Sequence, residues 1–231
     1  MTSYCGPPPV PAEAMLAWNL DPALLAIFAA SAALASRAGS PRLAFAGVGV
    51  LALAFLSPLC AISVALFSAR ALHHVLLVAV SAPLLALAFP ARRPHALGIS
   101  FVAATTTLWL WHVPSFYDSA LASTPVYWLM QSSLLTSAIW FWRCLFAAPP
   151  VAATSATIAA MAQMGMLGAL LTFAPSLLYA AHAGTTVAWG LPALVDQQLA
   201  GLVMWVPGII PYAIALGIVA RRGWTQAMTA P

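Results

Sequence analysis

Long apolar stretches, separated by short polar gaps, make up most of the chain of 231 residues. Seven of them approach the roughly 20 residues that an α-helix needs to cross the hydrocarbon core of a bilayer. They cover residues 22–36, 43–59, 68–90, 96–113, 125–146, 151–179 and 195–219. The pattern predicts an all-α fold, a polytopic membrane bundle of seven transmembrane helices. The linker 60–67 (CAISVALF) is also apolar, which favours a partly buried or re-entrant segment.

Composition supports lipid as the main solvent of this chain. Hydrophobic residues make up 63% of the sequence and charged residues only 5%, whereas soluble domains are about 25% charged. The net charge of +4 does not indicate a nucleic-acid partner, because no basic run is interleaved with aromatic residues. We interpret the basic residues as anchors that flank the membrane.

The charged residues are sorted by sign along the chain. The acids are Glu13, Asp21, Asp118 and Asp196, and the bases are Arg37, Arg42, Arg70, Arg92, Arg93, Arg143, Arg221 and Arg222. Seven spans place every arginine except Arg70 on one face, which is cytoplasmic by the positive-inside rule. The expected organisation is an extracytoplasmic segment 1–21, a transmembrane domain 22–220 and a cytoplasmic tail 221–231. The N-terminus is then outside.

Four histidines are predicted to lie at one depth near the outer ends of the spans: His73, His74, His112 and His182. Arg70 shares a helical ridge with His73 and His74, since residues three and four apart lie on one face. Two interpretations of Arg70 remain open. It either anchors the helix at the outer headgroups or forms an internal ion pair with Asp118 or Asp196.

Two further segments bring polar residues to the same side. In WHVPSFYD, Pro114 ends the fourth span and holds His112 beside Tyr117 at the boundary. The seventh span opens with VDQQLAGLVMWVPG, where Asp196 suits a helix N-terminus. Asp196 is followed by the amide Gln197 and, deeper in the span, by Met204 and Trp205. The alternative to a functional site here is a helix cap at Asp196 with ordinary amide hydrogen bonds.

The chemistry available in this outer layer is metal binding rather than catalysis. Imidazole and thioether groups suit copper, and the candidate ligands are His73, His74, His112, Cys60 and Met204. Neither HExxH nor CxxC spacing is present, and no GxSxG frame indicates a nucleophilic enzyme. Cys5 and Cys60 both fall outside, where a disulfide between them could form instead.

Three motifs resemble the CtaG family, whose members are seven-span proteins linked to assembly of caa-type cytochrome c oxidase. The motifs are LFSARALHHVLLVAVSAPLLALAFP (66–90), LWLWHVPSFYDSAL (108–121) and LGALLTFAPSLLY…DQQLAGLVMWVPG (167–208). By position, the family's functional residues correspond to His74, His112, Asp196, Gln197, Gly201, Met204 and Trp205. The chain departs from the family pattern at Arg70 and Gln131, where histidines are expected, and at His73 and Cys60.

The resemblance implies a bacterial inner-membrane assembly factor for cytochrome c oxidase that acts at the outer leaflet, with copper as its cargo or ligand. It implies no enzymatic activity, and its partners would be the lipid bilayer and oxidase subunits or other assembly factors. The alternative is a metal-free scaffold or accessory subunit of a respiratory oxidase, in which Arg70, Asp118, Asp196, Gln197, Tyr117 and Trp205 form a structural polar layer. A small-solute or ion transporter is the third hypothesis.

Overall fold

The computed structural model describes residues 3–90 and 96–229, and this part of the chain is helical without any β-strand. The predicted all-α class is therefore confirmed. The α-helices are α1 (Pro11–Ala14), α2 (Pro22–Ala35), α3 (Pro41–Phe55), α4 (Leu59–Ala65), α5 (Phe67–Val75), α6 (Ala82–Ala88), α7 (Leu97–Leu110), α8 (Pro114–Ala122), α9 (Thr124–Ala147), α10 (Pro150–Thr172), α11 (Ala193–Trp205) and α12 (Ile210–Thr229). Arg92, Arg93 and His95 lie outside the described residues.

Every predicted span contains a helix, but fewer helices are both long and apolar enough to cross a membrane. Within the described ranges there are three, Phe67–Ala88, Pro150–Thr172 and Ala193–Met228, or four if α3 and α4, bent by 44°, count as one span. Helices α2 and α7 have 14 residues each. The 24-residue α9 is long enough, but serines, threonines and an arginine lower its hydropathy. These helices indicate a membrane protein, and the count of seven transmembrane spans stays a prediction.

Two boundaries differ from the sequence prediction because of proline. The sixth stretch ends at Thr172 rather than 179, since Pro175 prevents the helix from continuing, and short 3₁₀ turns follow. The seventh is interrupted by a 3₁₀ turn at Pro207–Ile209 and then continues as α12 to Thr229. Most of the expected tail is therefore helical.

A π-helical segment, Leu76–Ser81, joins α5 to α6 and makes Phe67–Ala88 one continuous helix. In a π-helix each N–H bonds the carbonyl five residues earlier, so Pro83, which lacks an N–H, leaves the carbonyl of Val78 free. The buried indole of Trp142 on α9 donates to that carbonyl at 2.8 Å. This hydrogen bond fixes α9 against the irregular helix.

Helices α10 and α11 touch through their backbones at two glycines. A methyl group on Gly168 would lie 2.8 Å from the carbonyl oxygen of Gly201, and one on Gly201 would collide with Gly168 and Thr172. Small residues at such crossings permit the close approach that replaces hydrophobic driving force in lipid. This crossing sets the position of α11, which carries the DQQ motif.

The two ends of the bundle differ chemically. At one end, which we call the disulfide end, Cys5 is bonded to Cys60. At the other, the arginine end, Arg222 donates to the carbonyl of Phe146 at 2.6 Å and Arg143 donates to that of Pro90 at 3.3 Å. Cations that bind the last carbonyls of a helix complement its dipole.

The substitution Gly201→Ala is expected to lower the free energy of unfolding by about 1–3 kcal/mol, because the added methyl forces α10 and α11 apart. Thermal unfolding of the purified protein in detergent measures the change. Gly217→Ala is the matched control, since nothing lies within 4 Å of its Cβ position and alanine favours a helix. Equal melting temperatures for the two variants would contradict the close crossing.

Candidate functional site

The predicted polar layer is a compact buried cluster at the disulfide end. Its members come from helices α5, α8, α9 and α11, from the turn after α7 and from the 3₁₀ turn Ala180–His182. All of its members are buried: Arg70, His73, His74, His112, Tyr117, Tyr127, Gln131, Tyr179, His182, Asp196 and Gln197. The depth predicted from the sequence therefore corresponds to real proximity.

Arg70 lies at the centre of this cluster and is fully buried. Its guanidinium carbon lies 5.4 Å from the centre of the Tyr127 ring, a cation–π contact. Within the described residues none of its three nitrogens makes a hydrogen bond of good geometry, although the hydroxyls of Tyr117 and Tyr127 lie close to the guanidinium. Neither open interpretation matches this position, because Arg70 is fully enclosed by protein and makes no ion pair with Asp118 or Asp196.

Asp196 instead binds the N-terminus of the helix that carries Arg70. One carboxylate oxygen accepts the backbone N–H of Phe67 at 2.6 Å, and the other accepts from Ser68 through its hydroxyl at 2.5 Å and its N–H at 3.3 Å. Asp196 also stands in the first turn of α11, so two helix N-termini face one carboxylate. The predicted cap is real, but the capped helix is α5.

The other residues of the DQQ motif hold neighbouring segments. Gln197 accepts the N–H of Leu178 at 2.7 Å and donates to the carbonyl of Ser176 at 3.2 Å, which fixes the chain after α10. Met204 is buried in the core. Trp205 packs over Gly168. Met204 and Trp205 therefore contribute to the packing between helices.

The histidines form a row. The ring centres of His73 and His74 are 5.8 Å apart, and those of His74 and His112 are 6.2 Å apart. Nδ1 of His112 is 2.7 Å from the carbonyl oxygen of Leu108, which makes it the protonated nitrogen. The side-chain nitrogen of Gln131 is 3.4 Å from Nε2 of His74. Both ring nitrogens of His73 lack hydrogen-bond partners among the described residues.

A second polar group at the disulfide end contains two tyrosines, a histidine and an aspartate. The hydroxyl of Tyr117 is 2.7 Å from Nε2 of His182, and Tyr179 donates to the carbonyl of His112 at 2.8 Å. Asp118 accepts the N–H of Ala181 at 3.4 Å. Burial, and secondarily the charge of Arg70, lower the pKa of His182 to about 3. His182 is therefore neutral at physiological pH.

Sequence reasoning missed Tyr127 and Tyr179 as members of the site. Tyr127 lies four residues before Gln131, so the two share a face of α9, and this spacing was the available signal. Tyr179 follows the end of α10 in an irregular segment, where no periodicity shows its direction.

The N-terminal segment closes the disulfide end over these tyrosines. The ring of Tyr4 stacks on Tyr127 with ring centres 5.3 Å apart, and its hydroxyl donates to the carboxylate of Asp21 at 2.8 Å. The Cys5–Cys60 bond ties the segment to α4. The indole of Trp189 donates to the carbonyl of Pro9 at 3.0 Å, which joins it to the loop before α11.

Three observations bear on the predicted copper site. No group of three or more His, Cys, Asp or Glu residues that could hold a metal exists among the described residues. Cys60 is in a disulfide and offers no thiolate ligand, which corrects its assignment as a candidate. Asp196 is committed to α5, and the guanidinium of Arg70 repels a metal cation from the histidine row. The copper site stays a prediction that these contacts do not support.

Comparison with known proteins finds one match to a family. The family model described as cytochrome c oxidase caa3 assembly factor (Caa3_CtaG) matches residues 95–226. This range includes both the WHVP and the DQQ motifs. No significant match was found among curated proteins or among solved structures.

The low pKa of His182 predicts sensitivity to acid. Below pH 6.5 the unfolded chain binds the proton that folded His182 excludes until about pH 3, so stability falls as the pH falls through this window. The melting temperature of His182→Gln should therefore decline less steeply than that of wild type over the same range. Parallel curves would show that His182 is protonated without cost and would contradict its burial in the neutral form.

Proposed function

Because the chain belongs to the family of cytochrome c oxidase caa3 assembly factors, we propose that it supports oxidase assembly as a membrane scaffold. The proposed place of action is the outer leaflet of the bacterial inner membrane, and the partners are oxidase subunits or other assembly factors. The observation that carries the scaffold form is Arg70, a buried cation close to His73 and His74 of the histidine row.

Seven spans with the N-terminus outside remain the topology that we propose. Disulfides persist in oxidising compartments, so the Cys5–Cys60 bond favours placing that end on the periplasmic side. The arginine end then faces the cytoplasm, in agreement with the positive-inside rule. The bond and the charge distribution are independent observations that favour the same orientation.

A fixed outer surface suits a scaffold. The N-terminal segment, α8 and the loop before α11 are joined there by a disulfide and by side-chain bonds to the backbone, such as the bond of Thr185 to the carbonyl of Ala65 at 2.6 Å. These elements are irregular or short and lie outside the long helices. Such segments commonly carry binding function on a rigid framework.

Copper delivery is the competing function within the same family role. It would need at least two strong ligands that are free to exchange. His74 and His112 are adjacent but already contact Gln131 and the Leu108 carbonyl. The thioether of Met204 is a soft copper ligand by type. The scaffold role requires none of these groups to bind a metal.

Deletion of the gene is expected to reduce the amount of assembled oxidase, measured by its haem–copper spectrum, and the wild-type gene should restore it. The purified wild-type protein should co-purify with oxidase subunits and contain negligible copper. A C-terminal fluorescent fusion that matures only in the cytoplasm should fluoresce, which tests the orientation with the same strain.

The triple variant His73→Ala/His74→Ala/His112→Ala is the metal control. Stoichiometric copper in wild type that disappears in this variant would favour delivery over a scaffold. An unchanged oxidase level after deletion would reject the assembly role altogether.

A further inference from the structure

Unsatisfied polar atoms are concentrated around Arg70. Eleven buried side-chain nitrogen or oxygen atoms lack a hydrogen-bond partner among the described residues, and seven of them belong to four neighbouring side chains. These are the three nitrogens of Arg70, both of His73, Nδ1 of His182 and Oε1 of Gln131. The rings of His73 and His182 also lie near the backbones of Ala54 and Ala65. Buried polar groups almost always have partners from protein, water or a ligand. Their concentration in one place indicates an additional bound species.

The charge of that species follows from the charges around it. Arginine stays protonated in proteins, and an uncompensated charge in a low-dielectric interior is strongly unfavourable. The histidines nearby are neutral or positive and cannot neutralise Arg70. A compensating negative charge is therefore required.

The carboxylates of the chain are used elsewhere. Asp196 binds Phe67 and Ser68, Asp21 accepts from Tyr4, and Asp118 accepts from Ala181. Glu13 is exposed on α1. The compensating charge is thus expected to come from outside the chain.

We propose that the cluster around Arg70 binds a small monovalent anion, of the size of chloride or formate. The guanidinium supplies five N–H donors in a fixed geometry, and the hydroxyls of Tyr117 and Tyr127 lie close enough to interact with it. The buried ring of His73 lies close enough to Arg70 to feel its charge, and its N–H would face the anion or the backbone of Ala54. A set made mainly of donors around a cation selects an anion over a metal ion.

The size limit comes from enclosure. Arg70 and His73 have no exposed surface, and the sulfur of Cys5 lies 3.4 Å from the hydroxyl of Tyr127 above them. An open cavity of about 610 Å³ lies beside this lid and is lined in part by Ser3, Asp118 and Ala181. Its lining also includes Ala180, so this cavity reaches the segment that carries His182. A lipid headgroup is too large for the enclosed cluster.

This inference concerns binding by the isolated protein and does not depend on the assembly role. Its test uses the purified full chain in a neutral detergent. Thermal unfolding is measured in chloride, bromide, formate and gluconate salts of sodium at equal ionic strength. Gluconate is a monovalent carboxylate that is too large to enter. At concentrations about tenfold above the dissociation constant, the small anions should raise the melting temperature by about 3–6 °C over gluconate.

The variant Arg70→Gln should lose this anion dependence and melt at least as high as wild type in gluconate, because the uncompensated charge is gone. Arg42→Gln is the matched control, since it removes the same charge from an exposed position and should keep the wild-type response. If Arg70→Gln does not fold, broadening of the chloride NMR line by wild type, reversed by formate, supplies the second measurement.

Two results would overturn the proposal. Equal melting temperatures of wild type in all four salts, without chloride broadening, would mean that water alone fills the cluster. An equal salt response in wild type and Arg70→Gln would assign the effect to the protein surface. A response to chloride and bromide but not to formate would support the site and restrict it to halides.

Discussion

The arrangement of the disulfide end of the bundle depends on the hydrogen bonds of one carboxylate, that of Asp196. It is completely buried, and burying a lone carboxylate is costly unless hydrogen bonds and positive potential compensate. Here the backbone N–H groups of Phe67 and Ser68, the hydroxyl of Ser68 and two helix N-termini provide that compensation. The bond joins α11 to α5 at one point and in one orientation.

That attachment determines what the polar layer can do. Once Ser68 is fixed, the next turns of α5 direct Arg70, His73 and His74 into the bundle, toward Tyr127, Gln131 and His112. The only carboxylate buried at this depth has then been used at the helix terminus, and Arg70 remains without a counter-ion from the described chain. The layer is therefore cationic and rich in donors. This character disfavours a metal ion and is compatible with a scaffold that holds a small anion.

Much of this arrangement followed from the sequence. The apolar stretches predicted the helices, and the histidine positions predicted a shared depth, because one residue advances a helix by a fixed rise. Pro114 predicted an interruption of the helix next to His112, and His112 lies in the turn between α7 and α8. The family resemblance was confirmed over residues 95–226.

The partners of these residues did not follow from the sequence. A single sequence does not show which faces of two helices meet, so the bond from Asp196 to α5 and the ring of Tyr127 beside Arg70 appeared only in the fold. The same applies to Cys5 and Cys60, which are 55 residues apart. The sequence left two alternatives open for Cys60, a copper ligand or a disulfide with Cys5, and the fold shows the disulfide. The sixth span was predicted too long because residues 173–179 are largely apolar without being helical.

Hydrogen–deuterium exchange at the start of α5 tests the role of Asp196 most directly. The first amides of a helix normally have no acceptor and exchange fast, whereas those of Phe67 and Ser68 are bound to a buried carboxylate. We predict slow exchange of a peptide that spans these two residues in wild type and much faster exchange in Asp196→Ala, with α10 unaffected. Fast exchange in wild type, or equal rates in the two proteins, would contradict the attachment on which the polar layer rests.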